Sequence, residues 1–202
     1  MSRYRAPRLR LVRRLGVLPG LTRKVSNRNG LPGKISSYSL NKKSSSYSVR
    51  LREKQKLRFN YGINERQLLN YVKLSRRKKG SAGRILLSLL EMRLDNIIFR
   101  LGFASTVYSA RQLVNHGHIL VNAKTVNIPS FICKPKFLIK VKTSSVRIVK
   151  ANVESLANLA IPQHLALNST EYEARIVSFV NRKSVSILVN ELLIIEYYSR
   201  KL

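Results

Sequence analysis

Residues 90–130, LEMRLDNIIFRLGFASTVYSARQLVNHGHILVNAKTVNIPS, change hydrophobic period part-way through, and that change decides the fold. Up to Gly102 the apolar residues recur at helical spacing: Leu94, Ile97, Ile98 and Leu101 continue a series begun by Ile85, Leu86, Leu89 and Met92. Ser105 or Thr106 predicts the cap of a second, shorter helix, with Ala110, Leu113 and Val114 on its inner face and Gly117 at its end. Past Gly117 the signal is β-type, with short segments at 119–121, 125–128, 130–133 and 137–141 punctuated by Asn122, Pro129 and Pro135. Two short helices leading into a small curled sheet make a compact module over residues 90–153.

Upstream of it the chain reads as helical. A helix over roughly 50–61 ends at Gly62, which can take the left-handed conformation that other residues resist. Asn64 caps the next helix, Gln67 can complete a capping box, and Ile63 can pack on Leu68 as a staple. That helix runs through Leu68, Leu69, Tyr71, Val72 and Ser75 into the basic turn Arg76-Arg77-Lys78-Lys79-Gly80. Residues 1–47 show no sustained period. Pro7, Gly16, Pro19, Gly20, Gly30, Pro32 and Gly33 interrupt any helix, so this stretch is expected to be an extended basic arm. An Arg-rich start without acids also suits an organellar transit peptide, but the Pro and Gly punctuation fits a fixed extended path better than an amphipathic helix. The last quarter has a break at Pro162 and an apolar end, whose Leu192, Leu193, Ile195 and Tyr198 are expected to pack on the helical subdomain. The fold class is therefore α+β. The arm covers 1–47, the helical subdomain covers 48–95 joined by 154–202, and the two-helix plus β-sheet module covers 90–153.

Charge narrows the function. Of 202 residues, 39 are Lys or Arg and 9 are Asp or Glu, a net +30. Residues 1–52 and 96–153 contain no acid at all, while 154–202 balances five against five. Self-repulsion of this size favours a polyanionic partner, and nucleic acid is preferred over a membrane because no basic amphipathic helix has a Phe-rich or Trp-rich apolar face. The longest apolar runs are too short to cross a bilayer, and the start lacks the apolar stretch of a secretory signal. A lone Cys133 excludes a disulfide framework and a multi-thiolate zinc site, and His116, His118 and His164 do not supply zinc spacing.

Residues 1–24, 49–72, 90–130 and 190–200 together resemble, nearly end to end, the small ribosomal subunit protein four family in its plastid form. The resemblance implies a primary binder of 16S-type rRNA that nucleates assembly of the small-subunit body. It also implies neighbours among the small-subunit proteins, five and twelve, with which it influences decoding accuracy, and a plastid location. No cofactor, membrane or small-molecule substrate is implied. Two departures stand out. At the hairpin the family usually reads Val-Asn-Gly, whereas here Asn122 is followed by Ala123, and Gly117 stands where relatives commonly carry a basic residue.

RNA offers phosphates, 2′-hydroxyls and unpaired bases, and Arg forks suit the phosphates. The expected contacts are Arg3, Arg5, Arg8, Arg10, Arg13 and Arg14 in the arm, then Arg50, Arg52, Lys54, Lys56 and Arg58 on the first helix. On that helix Arg50, Lys54 and Arg58 share one face, no clean apolar stripe remains, and only Glu53 offsets the charge within it. Lys73, Arg76, Arg77, Lys78 and Lys79 follow. Arg111, Gln112, His116, His118 and Lys124 form one predicted patch on the module. Two other classes are to be weighed. Arg93-Leu94-Asp95 resembles the Gly-Arg-Leu-Asp of pseudouridine synthases, but in those enzymes the catalytic domain follows the RNA module, whereas Asp95 stands at its front edge. Asp95 is expected instead to cap or to pair with Arg93 or another cation. A DNA-compacting protein would bind duplex DNA and folded RNA alike.

Overall fold

The computed structural model describes residues 4, 6–28, 30–33, 45–155, 160–168 and 170–199. They form two units, one running to Gly83 and resuming at Ile187, the other spanning Arg84–Ser186. The last quarter of the chain is thus divided between them.

The first unit begins with a correction. Residues Arg8–Leu15 form a helix, α1, where an extended path was expected. Pro7 precedes it and Gly16, at φ 93°, ends it. The first N–H groups of a helix have no intrahelical acceptor, so a proline at the start removes nothing, and glycine tolerates the stop. The two residues read as breakers are its boundaries. Leu15 at its end, and Leu18 and Leu21 beyond it, are buried. Three contacts tie the segment down: the Gly20 N–H donates to Asn60 Oδ1 at 3.0 Å, Arg8 to the Leu21 carbonyl at 3.3 Å, and the Tyr4 ring meets Phe59 edge-on at 5.4 Å.

Helix α2 covers Ser46–Asn60, with the Ser45 hydroxyl accepting from the Ser48 N–H. It ends as predicted. Gly62 sits at φ 58°, its N–H donates to the Phe59 carbonyl, and the Ile63 N–H donates to that of Arg58, a Schellman closure. Helix α3, Glu65–Arg77, starts with the Asn64–Gln67 capping box. Helix α8, Glu191–Ser199, packs on α2 and α3, burying Ile194, Tyr197 and Tyr198. Of the predicted face only Tyr198 is fully buried. Leu192 is exposed, and Leu193 and Ile195 are half-buried, because the helix is apolar nearly all round and its own periodicity does not single out one side.

Helices α4 (Ala82–Glu91), α5 (Leu94–Arg100) and α6 (Val107–Asn115) follow. Thr106 caps α6 by accepting from the Ser109 N–H, and Gly117, φ 70°, closes it with the Gly117 N–H on Val114 and the His118 N–H on Leu113. The second unit then builds a five-stranded antiparallel sheet in the order β2-β1-β3-β5-β4. Its strands are β1 (Ile119–Val121), β2 (Lys124–Thr125), β3 (Leu138–Val141), β4 (Leu165–Asn168) and β5 (Glu173–Ile176). Helix α7, Val146–Glu154, packs Val149 into the core of this unit. The chain up to Ser186 therefore falls in the second unit, whose sheet takes β4 and β5 from it, and only Ile187 onward joins the first unit.

The inner face of the sheet, Ile119, Val121, Ile139, Val141, Ala174 and Ile176, shares one core with Ile97, Ile98, Phe103, Ala110 and Val114. The predicted strand at 130–133 reduces to a single bridge, Arg93 with Ile132. Its backbone has another duty: the Pro129 and Phe131 carbonyls accept from the Asp95 and Leu94 N–H groups, and the Cys133 N–H donates to Met92. The strand predicted at 125–128 likewise ends at Thr125, since the chain leaves the sheet to reach that helix start.

Candidate nucleic-acid interface

Alternation and helical phase sort the cations into those engaged inside the protein and those held outward. On α2 the face shared by Arg50, Lys54 and Arg58 is turned to acids and not left bare. Arg50 pairs with Glu196 at 2.7 Å, Lys54 with Glu65 at 2.9 Å and Arg58 with Glu65 at 3.7 Å, while Lys56 pairs with Glu53 at 2.6 Å. The Lys54 side chain is only 5% exposed and its ammonium also lies 4.9 Å from the Tyr197 ring centre. Glu53 further accepts from the Asn190 N–H at 3.0 Å. The neutral last quarter thus supplies part of the counter-charge that α2 lacks in its own sequence. Burial alone would raise the Glu65 carboxyl, but hydrogen bonds from Tyr198 and Lys54 and the charges of Lys54 and Arg58 outweigh it and hold the group below the usual carboxylate range.

In the second unit Asp95 is buried at the start of α5. Arg93 grips both its oxygens, at 3.0 and 2.8 Å, and Arg111 donates to Oδ2 at 2.8 Å. The pairing with Arg93 agrees with the sequence reading, and that with Arg111 is new. A carboxylate held from both sides by guanidinium groups has no lone pair directed at a substrate. Glu91 forms a second buried node, with Arg100 Nη2 and Nε at 2.5 and 3.0 Å and Asn96 Nδ2 at 2.5 Å. Arg100 also reaches the Ser186 hydroxyl.

The outward set is different. Arg66, Asn70, Lys73 and Arg77 are four, three and four residues apart, so they fall on one side of α3, and all are exposed. None of the three cations forms an ion pair among the described residues. Arg76, Lys78 and Lys79 extend this ridge into the following turn, also exposed. Arg66 was missed by the sequence reading, although its spacing of seven from Lys73 was a usable signal. Of the remaining predicted contacts, Arg10, Arg14, Arg52, Gln112, His116 and Lys124 are exposed. Arg13 instead donates twice to the Gly30 carbonyl, at 2.8 and 2.6 Å, and His118 Nδ1 shares a hydrogen bond with the Ser145 hydroxyl at 2.7 Å. His116 and His118 stay together, their ring centres 5.8 Å apart. Arg3 and Arg5 lie outside the described residues.

Acids paired with cations from other segments, beside cations left exposed on α3, are the charge layout of a structural protein suited to a polyanion. Residues 3–91 match the Ribosomal protein S4/S9 N-terminal domain and residues 92–136 the S4 domain. Over the full length of both chains the sequence is 60% identical to the small ribosomal subunit protein uS4c of Euglena gracilis, 53% to that of Chaetosphaeridium globosum and 55% to that of Leucodon sciuroides. The chain belongs to the ribosomal protein S4 family, whose members are rRNA-binding structural proteins of the small subunit and not enzymes.

Proposed function

We propose that the chain is a primary rRNA-binding protein of the small ribosomal subunit in plastids, and that the exposed ridge of α3 with the turn after it is its main phosphate-binding surface. The observation that carries this is the segregation of charge, with Arg66, Lys73 and Arg77 outward and unengaged while Arg50, Lys54 and Arg58 hold Glu196 and Glu65. The exposed cations of α1, Arg10 and Arg14, and the Gln112, His116 and Lys124 patch of the module add contacts at further points of one folded RNA. Binding spread over several elements suits a multi-helix junction better than a uniform duplex, and a protein that gathers such a junction early can nucleate assembly. Proteins five and twelve of the small subunit are the proposed neighbours.

Affinity for a small-subunit rRNA fragment, measured over a salt series, tests the assignment. Each lost phosphate contact should reduce the log–log slope by roughly 0.7 to 0.9. Replacing Arg66, Lys73 and Arg77 with Ala should lower it by about 2, whereas Lys54→Met should leave it unchanged. Equal slopes in all three proteins would overturn the surface assignment. Equal affinity for duplex DNA and the rRNA junction would favour the DNA-compacting reading.

A further inference from the structure

The outer face of the sheet carries a feature that the α3 ridge does not explain. Leu138 lies opposite Arg175 across β3 and β5. The ladder continues one step beyond β5, where the Lys136 N–H donates to the Ile176 carbonyl at 2.7 Å and the Val177 N–H to that of His164 at 2.9 Å. Side chains alternate along an extended strand, so with Ala174 and Ile176 in the core, Arg175 and Val177 point outward on the face of Leu138. Phe179 follows two residues on, before Val180 turns back onto the core. Leu138 is 36% exposed, Val177 56% and Phe179 66%. Lys136, Arg175 and Lys183, within a few residues of this end of β3 and β5, are also exposed. Glu173, the acid on the same face of β5, is engaged by Lys140 at 3.4 Å.

We propose that this end of the sheet is a platform for unpaired RNA, with one base stacked on Phe179 against Val177 and the flanking phosphates met by Arg175, Lys136 and Lys183. The inference rests on the RNA-binding reading above but concerns a different surface and a different contact, an unpaired base and not a helical backbone. An exposed aromatic at the end of a sheet, with cations near it in the chain, is a combination suited to single-stranded nucleic acid, because any base can stack and its phosphates need neutralising. A protein partner seated here would have to bring acids to three exposed cations, whereas a phosphate backbone supplies that charge itself.

The test is photocrosslinking of the full chain to an oligouridine carrying 4-thiouridine, with the modified peptide located by mass spectrometry. The expected result is an adduct on Phe179, within residues 176–182. The double variant Arg175→Ala with Lys183→Ala should lower its yield about fivefold or more, and Phe179→Tyr should retain it. No adduct in this peptide, or a yield indifferent to both cations, would overturn the platform. So would crosslinking of the same position, in assembled small subunits, to a protein and not to rRNA. Binding of the unaltered chain to the rRNA fragment is measured in parallel. If that binding persists without the adduct, only the platform fails; if it is absent, the RNA-binding reading fails with it.

Discussion

Arg111 Nε lies 2.8 Å from Asp95 Oδ2, so a cation expected on the outer side of α6 is turned inward and tied across sixteen residues to a carboxylate buried at the start of α5. Arg93 holds the other side of the same carboxylate. This triad therefore joins the start of α5 to α6, the helix that carries Gln112. Removing the acid leaves two guanidinium groups with little water to replace it. Asp95→Ala is expected to destabilise the protein by about 3–5 kcal/mol, read by urea denaturation, and a change below about 1 kcal/mol would show that the triad is not a structural node.

The β1–β2 hairpin carries a removable strain. Asn122 and Ala123 sit at φ 49° and 64°, the conformation of a two-residue turn that suits glycine at its second centre. Alanine there pays a steric penalty that glycine does not, partly offset by the greater chain entropy glycine loses on folding. Ala123→Gly should therefore stabilise the protein by about 0.5–1 kcal/mol, seen as a higher melting temperature. A lower melting temperature would show that the alanine methyl makes a favourable contact.

Deleting residues 1–47 should damage one unit and spare the other. Leu15, Leu18 and Leu21 are buried and the Gly20 N–H satisfies Asn60, so the segment is part of the first unit's core as well as its charge. Amide hydrogen exchange on the truncated chain should show lost protection in α2 and α3 and retained protection in β1, β3 and β5. Uniform retention would mean that the arm is dispensable for folding.

His164 gives the fold an acid sensitivity. Its ring is buried and neither nitrogen has a hydrogen-bond partner among the described residues. Desolvation lowers its pKa, Glu91 works against that shift and Arg100 adds to it. The unfolded chain then binds the proton more readily than the folded one, so stability falls as pH drops below the ordinary histidine range and goes on falling until the folded group itself titrates. His164→Phe should raise stability by about 1–2 kcal/mol at neutral pH and flatten the decline from pH 7 towards 5. An unchanged pH profile would mean that other groups set the acid limit.

Local signals were the legible part of the sequence. The closures at Gly62 and Gly117, the Asn64–Gln67 box and the Thr106 cap depend on residues within about one turn of each other, and the structure shows each of them. Pro7 and Gly16 were equally local but ambiguous, because the same residues that interrupt a long helix bound a short one. Asp95 could be assigned a cationic partner next to it, Arg93, but not Arg111, which reaches it only when α6 folds back on α5. The basic ridge of α3 was half visible through Lys73 and Arg77, and Arg66 was there to be read from its phase.

By itself, the sequence determined the composition of the interface, a chain with thirty more positive than negative charges and the helices and hairpin that bear them. Tertiary structure alone decided which cations remain for a partner. Glu65, Glu196 and Asp95 each neutralise arginines or lysines distant in sequence, and whether a charge is satisfied or presented depends on Coulomb contacts that no local pattern encodes.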